Sequence, residues 1–307
     1  MDSLLRSRAR GAVVAGMIAG LLTAGVAATT KGPDAGAYTG TDATTFSFVD
    51  ISGGSGGIAV LGGTDDGTVA LALPFAFKFY GQTYPFVCVS SNGALYFVAA
   101  DSDCTGILDF ANTDLGSVAT PGDRPAVLPL WSDLTFQVSG AGAVFYQTLG
   151  SPGSRRFVVQ WNDAFPQGSA DPVTFQVILA EAGNTVLFQY KTVNLGSGNA
   201  ASNGAHATIG IRNTGALNTQ QQIAWSFGAA VLADNTAILF SATPTPGDLT
   251  GDHLVNCDDA NFIRAAFGKR KGQAGYNPAA DTNNDGVVSV TDFALLTKYL
   301  PPGIKCT

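Results

Sequence analysis

Oxygen-bearing side chains recur at fixed spacing in two places near the end of the 307-residue chain. The first stretch runs Asp248-Leu-Thr250-Gly-Asp252-His-Leu254-Val-Asn256-Cys-Asp-Asp259. The second runs Asp281-Thr-Asn283-Asn-Asp285-Gly-Val287-Val-Ser289-Val-Thr-Asp292 and starts 33 residues later (248 to 281). Aligned, they place oxygen side chains at positions one, three, five, nine and twelve, with Leu254 and Val287 offering a backbone carbonyl at seven. Calcium is a hard cation that takes six to eight oxygen ligands at ~2.3–2.6 Å, and this spacing wraps a short loop around one ion. A single such stretch is also compatible with an Asp/Asn-rich turn. Two in register, each followed by a helical pattern, point to two Ca²⁺ ions. The first loop is expected to bind more weakly. His253 stands where glycine usually supplies φ > 0, and Thr250 replaces a stronger Asn or Asp ligand.

Both stretches depart from an ordinary EF-hand. Position twelve is Asp rather than Glu, and Thr243-Pro244-Thr245-Pro246-Gly247 precedes the first loop where an entry helix would lie. A duplicated loop with an exit helix, no entry helix and a closing Asp resembles the type I dockerin, over residues 247–306. That resemblance implies a small α-helical module with two F-hand calcium loops, which plugs into a cohesin domain on a scaffold such as a cellulosome. It further implies a role in polysaccharide catabolism, as an enzyme or accessory chain. Partner contact in such modules is read from loop places ten and eleven and from the helix face beyond. Here these are Cys257, Asp258, Arg264 and Ala265 in the first copy, and Val290, Thr291, Thr297 and Lys298 in the second. A bond between Cys257 and Cys306 would alter the first face, which makes the second copy the expected contact.

The elements that position these loops read as two short helices. Phe262, Ile263, Ala266 and Phe267 follow the first loop at helical spacing, and Phe293, Leu296, Tyr299 and Leu300 follow the second. With Val255 and Val288 they are expected to form the module's core. Lys269, Arg270 and Lys271 lie past the first helix, where cations suit its C-terminal dipole. About sixty residues bury little apolar area, so bound metal is expected to supply much of the folding free energy.

Upstream, Arg6, Arg8 and Arg10 precede an apolar run from Ala12 to Val26, and Val26 and Ala28 suit the −3 and −1 sites of a cleavage. Residues 1–28 therefore read as a secretory signal peptide, giving a secreted, extracellular chain with no membrane span once it is removed. Without them thirteen basic residues face twenty-two acidic ones, a net charge of about −9, which argues against nucleic acid and anionic membranes as partners. Four cysteines in a secreted chain suggest two disulfides, and three pairings are open. Keeping each bond within one domain gives Cys88 with Cys104 and Cys257 with Cys306.

Apolar residues make up 46% of the chain, enough for a full core, while 38 glycines and a single glutamate favour a loop-rich β protein. Residues 31–242 read as strands between Gly/Asn/Asp/Pro turns, with residues 243–246 as a linker and 247–307 as the module above. Phe75, Phe77 and Phe79 alternate with Ala76, Lys78 and Tyr80, Gly81-Gln82 is read as a turn, and Asn92-Gly93 as a primed hairpin turn. At least ten strands without crossover helices predict an antiparallel β-sandwich or jelly-roll-like domain. The stretches Leu73–Gly81, Ser90–Gly93, Leu130–Asp133, Arg156–Trp161 and Phe175–Leu179 resemble the nidogen-type extracellular β-domain. The resemblance implies an adhesive or accessory module with no assigned catalytic residues.

Catalytic chemistry finds little footing. Glu181 falls in a predicted turn, and a glycosidase carboxylate pair would have to be built largely from Asp, with Asp133 the best single candidate. Its commoner role is capping a strand end. His206 lies in a Gly/Asn/Ser-rich loop without a nucleophile elbow. Trp131, Trp161 and Trp225 could stack on an extracellular polysaccharide, although core packing suits Trp161 and Trp225 better. Asp65-Asp66 could hold a further calcium, but Gly63–Gly67 reads as a turn. The leading expectation is a non-catalytic β-sandwich protein that docks through calcium loops onto a cohesin-bearing partner. An adhesin-like protein with a calcium-stabilised C-terminal cap is the alternative, and an O-glycosyl hydrolase or its accessory the third reading.

Overall fold

The structure, a computed structural model, describes residues 28–107, 109–115, 123–243, 246–250 and 255–306. The stretch expected to be a leader up to residue 27, Pro244 and Thr245 of the expected linker, and the loop residues Asp252, His253 and Leu254 lie outside them.

The chain is mainly β, and its larger part forms two antiparallel sheets, with strands numbered in chain order. The first sheet runs β1 (Thr30–Lys31), β2 (Tyr38–Thr41), β15 (Thr236–Ala242), β12 (Thr185–Thr192), β11 (Val173–Ala180), β10 (Arg156–Pro166), β9 (Ala143–Leu149) and β3 (Ile58–Val60). Its β8 (Leu134–Thr135) pairs with the end of β10. The second runs β14 (Gln222–Phe227), β13 (Thr208–Arg212), β7 (Ala126–Trp131), β6 (Leu95–Val98), β5 (Gln82–Ser90) and β4 (Thr68–Phe79). Strands consecutive in the chain are neighbours from β4 to β7 in one sheet and from β9 to β12 in the other; β13 and β14 extend the first run beyond β7, while β15, β2 and β1 flank β12 and β3 flanks β9.

Period-two alternation turns one face of each sheet into a shared core. Phe75, Phe77 and Phe79 point inward from β4, and Phe77 stacks on Phe97 of β6 with ring centres 5.4 Å apart. Opposite them, Trp161 of β10 stacks on Phe175 of β11 at 5.0 Å, and its Nε1 donates to the carbonyl of Ser90 at 2.8 Å, tying the sheets together. Each such buried side chain contributes about 1.5–3 kcal/mol.

Two turns differ from expectation. The β4–β5 turn uses Tyr80-Gly81, with φ of +47° and +78°, so Tyr80 leaves the strand pattern. Its ring is buried, and its hydroxyl donates to Asp34 Oδ2 at 2.6 Å. At the β5–β6 turn only Gly93 has positive φ (+75°), so the turn is not of the primed type. Ser90 N donates to Ala94 O at 2.9 Å and closes a wider loop. A Cβ on Gly93 would lie 2.1 Å from the carbonyl oxygen of Leu130, so the approach to β7 requires glycine.

On the outer face of the first sheet, Gln160, Gln176 and Gln189 are cross-strand neighbours on β10, β11 and β12, and all are buried. They grip an extended strap ahead of β3. Gln160 Oε1 accepts from Ile51 N at 3.0 Å, and Gln189 Nε2 donates to Ser47 O at 3.0 Å. With its amide oriented to suit its neighbours, Gln176 bonds both backbone groups of Val49. Ile51 then packs on Val158 and Ile178.

The remaining helices are short: α1 (Ala216–Thr219), a single turn between β13 and β14, then α2 (Cys257–Ala265) and α3 (Val290–Leu296). Ala260, Ile263, Ala266, Ala280, Val288 and Leu296 form the buried centre around α2 and α3. Phe267 and Tyr299 do not join it, being 51% and 50% exposed. Both lie beyond the helix ends, where the three-and-four spacing no longer marks one face. Residues 268–271 instead pair with the second loop, through Gly268 N to Val288 O at 2.8 Å and Val288 N to Lys269 O at 3.0 Å. Both disulfides, Cys88–Cys104 and Cys257–Cys306, are formed.

Candidate functional site

The second acidic loop is described in full. Asp281 at position one accepts from Asp285 N (Oδ1, 3.1 Å), and from Gly286 N at 2.8 Å and the Tyr276 hydroxyl at 2.6 Å (both Oδ2). That last bond, to a carboxylate, holds the Tyr276 phenol up at about 12. Position three meets position five, with Asn283 Nδ2 donating to Asp285 Oδ2 at 2.9 Å. Gly286 turns the loop at φ +86°. Asp292 closes it, accepting from Asn283 N at 3.2 Å on one oxygen and from Ser289 N at 2.8 Å on the other. Burial alone would raise this carboxyl, but the N–H donors of Ser289 and Asn283 outweigh it and hold it below the ordinary value.

Positions nine and twelve serve the helices too. Ser289 Oγ accepts from Thr291 N at 3.2 Å, and Asn256 Oδ1 accepts from Asp258 N at 2.6 Å. With Asp292 and Asp259 three residues on, each makes a capping box, worth about 1 kcal/mol. In the first loop Asp259 Oδ1 takes Leu249 N at 2.7 Å and Thr250 N at 2.9 Å, while Asp248, Thr250 and Asn256 bring further oxygens.

This donor set fits calcium. Every side chain at the ligand places is a hard oxygen donor. Asp281 and Asp292 are buried, at 2% and 0% exposure, and no described Lys or Arg pairs with either. A buried carboxylate without a counter-charge is costly, and a cation in the loop relieves it.

The face beyond each loop differs between copies. Val290 is 72% exposed, and Thr291, Thr297 and Lys298 are exposed around it. In the first copy Cys257 is bonded to Cys306, and Arg264 Nη2 donates to the carbonyl of Cys306 at 2.9 Å. The chain end therefore lies across that face.

Compared with known families, residues 37–247 match the model described as NIDO related. The chain belongs to the NIDO-related family. Residues 246–301 match the dockerin type I domain, whose members bind calcium and imply a cohesin partner. No curated protein and no solved structure matches the chain. Among the described residues no helix is long and apolar enough to cross a membrane.

Within the NIDO-related region the candidate chemical residues take definite roles. Glu181 receives Arg155 in a two-point ion pair, with Nη2 to Oε1 at 2.7 Å and Nε to Oε2 at 2.9 Å. The Arg155 hydrogen bonds hold its carboxyl at about 2, opposite in direction to a general acid. Trp131 is fully buried, donating from Nε1 to Asp109 O at 2.6 Å, and Trp161 and Trp225 are core as well, so none forms a sugar platform. Ser132, Asp133 and His206 line one groove of about 460 Å³. The Ser132 hydroxyl, however, donates to the backbone carbonyl of His206 at 3.4 Å, not to its ring. Asp133 does not act as a simple strand-end cap: its side chain faces Asp65 and Asp66, a meeting that sequence reading missed.

Proposed function

We propose that this chain is a secreted, non-catalytic β-sandwich protein that docks through its C-terminal module onto a cohesin-bearing scaffold, in the service of polysaccharide breakdown or surface assembly. On this reading residues 1–28 are removed on export, residues 31–242 form the sandwich, 243–246 the linker and 247–307 the docking module. Two calcium ions hold the module. One is bound by Asp281, Asn283, Asp285, Val287, Ser289 and Asp292, and the other by Asp248, Thr250, Asp252, Leu254, Asn256 and Asp259. The observation that carries the proposal is the second loop, where Asp281 and Asp292 are both buried without a basic partner, beneath an exposed Val290, Thr291, Thr297 and Lys298. The ions supply no chemistry to a substrate. They neutralise the loop carboxylates and so fix the helix that presents this face.

The chain end lying over the first copy favours a second reading, in which the module is a calcium-stabilised cap on an adhesin-like protein. An array of cohesin domains probed with the full chain separates them. Docking predicts capture in calcium, loss in EDTA, and weakening by Val290→Asp with Lys298→Glu. Absence of capture by any cohesin favours the cap.

A further inference from the structure

The first strand of the sandwich is two residues long, and it pairs Thr30 with Thr41 and Lys31 with Gly40 of β2. So short a strand at the edge of a sheet frays unless its end is tied. Two ties are present. Lys31 Nζ crosses to β14 of the second sheet, donates to the carbonyls of Ala224 at 3.1 Å and Trp225 at 2.6 Å, and lies 5.7 Å from the centre of the Trp225 ring. One residue before the strand, Thr29 closes on Asp42. Asp42 N donates to Thr29 O at 3.2 Å, and Thr29 N donates to Asp42 Oδ1 at 2.6 Å.

Thr29 N is also the nitrogen that removal of residues 1–28 would free. The small residues Val26 and Ala28 and the placement of Asp42 are independent observations, and both single out this atom. Ala28 and Thr29 are exposed and lie outside the strand, so a cut between them breaks no pairing of β1 with β2. Hydrolysis by a signal peptidase adds water across the Ala28–Thr29 amide. Ala28 leaves with the new carboxylate, and Thr29 N takes up protons to become an α-ammonium at neutral pH. A neutral amide donor is thereby replaced by a cation at the same carboxylate, where a hydrogen bond is about twice as strong. Asp42 has no competing cation: among the described residues it joins no ion pair, and neighbouring Lys31 is turned to β14. A terminus one residue to either side would carry its charge about 3.5 Å further along the chain, away from this oxygen.

We propose that Asp42 receives the α-ammonium of a mature chain that starts at Thr29, so that removal of the leader creates the ion pair that fastens β1 to β2. The inference rests on the reading of residues 1–28 as a leader removed on export. Because the pair is exposed, solvent and salt screen it, and it fastens the sheet edge without holding the sandwich together.

N-terminal sequencing of the exported full chain should read Thr29-Thr30-Lys31. A chain that still carries residues 1–28 overturns the leader reading and the inference with it, whereas a cut at another bond overturns the inference alone. Mild periodate then removes the charge selectively. It converts an N-terminal threonine to an uncharged glyoxylyl group, and both methionines, Met1 and Met17, lie in the leader. All three tryptophans, Trp131, Trp161 and Trp225, belong to the sandwich, so tryptophan-fluorescence melting of the full chain reads that part and not the C-terminal module. Periodate should lower the parent's melting midpoint by roughly 1–3 °C at low salt, and by less at high salt. Asp42→Asn should lower it by a similar amount, and periodate should then change nothing further in that variant. A chain that starts at Thr29 and melts identically before and after periodate, or an Asp42→Asn variant that still loses as much on treatment as the parent, overturns the proposal and leaves the leader reading standing.

Discussion

Replacing Asp292 by alanine should open the C-terminal module even in saturating calcium. Its carboxylate is fully buried and takes Ser289 N at 2.8 Å, Asn283 N at 3.2 Å and the Thr282 hydroxyl at 3.2 Å. Losing the capping box removes about 1 kcal/mol. Losing one hydrogen bond to a charged acceptor removes about 1.5–3 kcal/mol more. Against this stands a centre of Ala260, Ile263, Ala266, Ala280, Val288 and Leu296, mostly small side chains. A domain of this size holds only ~3–8 kcal/mol in all. A loss of ~3 kcal/mol multiplies the open population by about 150. Limited chymotrypsin digestion of the full chain measures this directly, because cleavage follows the open fraction when reclosing is fast. Cuts at Phe262, Phe267, Tyr276, Phe293 and Tyr299 should accelerate accordingly, while the sandwich stays whole and Lys298→Ala behaves as the parent. A cleavage rate within about twofold of the parent would refute the argument that Asp292 ties the loop to its helix.

Two further outcomes test the sandwich. Glu181 is the sole glutamate, so selective ¹³C-glutamate labelling gives one carboxyl resonance, and it should titrate at about 2 rather than at the usual 4.5. Since the folded value is depressed, the Arg155–Glu181 contribution is complete above about 4.5 and fades as pH falls through about 2. Gly93→Ala should cost at least about 2 kcal/mol, from positive φ and a clash with the Leu130 carbonyl, and should lower the tryptophan-monitored melting midpoint by several degrees.

The dockerin stretch was legible because its repeated acidic positions are near neighbours in the chain, where spacing alone carries geometry. The strand alternation of Phe75, Phe77 and Phe79 was legible for the same reason, whereas Tyr80 was not. A turn with two positive φ values rotates it back into the core. The pair Asp65-Asp66 and the lone Asp133 were noted separately, because the Ser91–Gly93 loop links segments 67 positions apart (66 to 133) that spacing does not relate. The signal, had it been read, was an asparagine in the turn that joins them. Gln160, Gln176 and Gln189 are scattered in sequence and align only through the register of β10, β11 and β12. In the C-terminal module the pattern overran the helices: α3 ends at Leu296, so Tyr299 projects outward despite its spacing.

The glutamine row imposes an order of events during synthesis. Ser47 is made 142 positions before Gln189, and Ile51 109 positions before Gln160. The early segment must wait unattached until the central hairpins have zipped, since contacts of such long sequence separation form late. It then drops across β10, β11 and β12 as a latch.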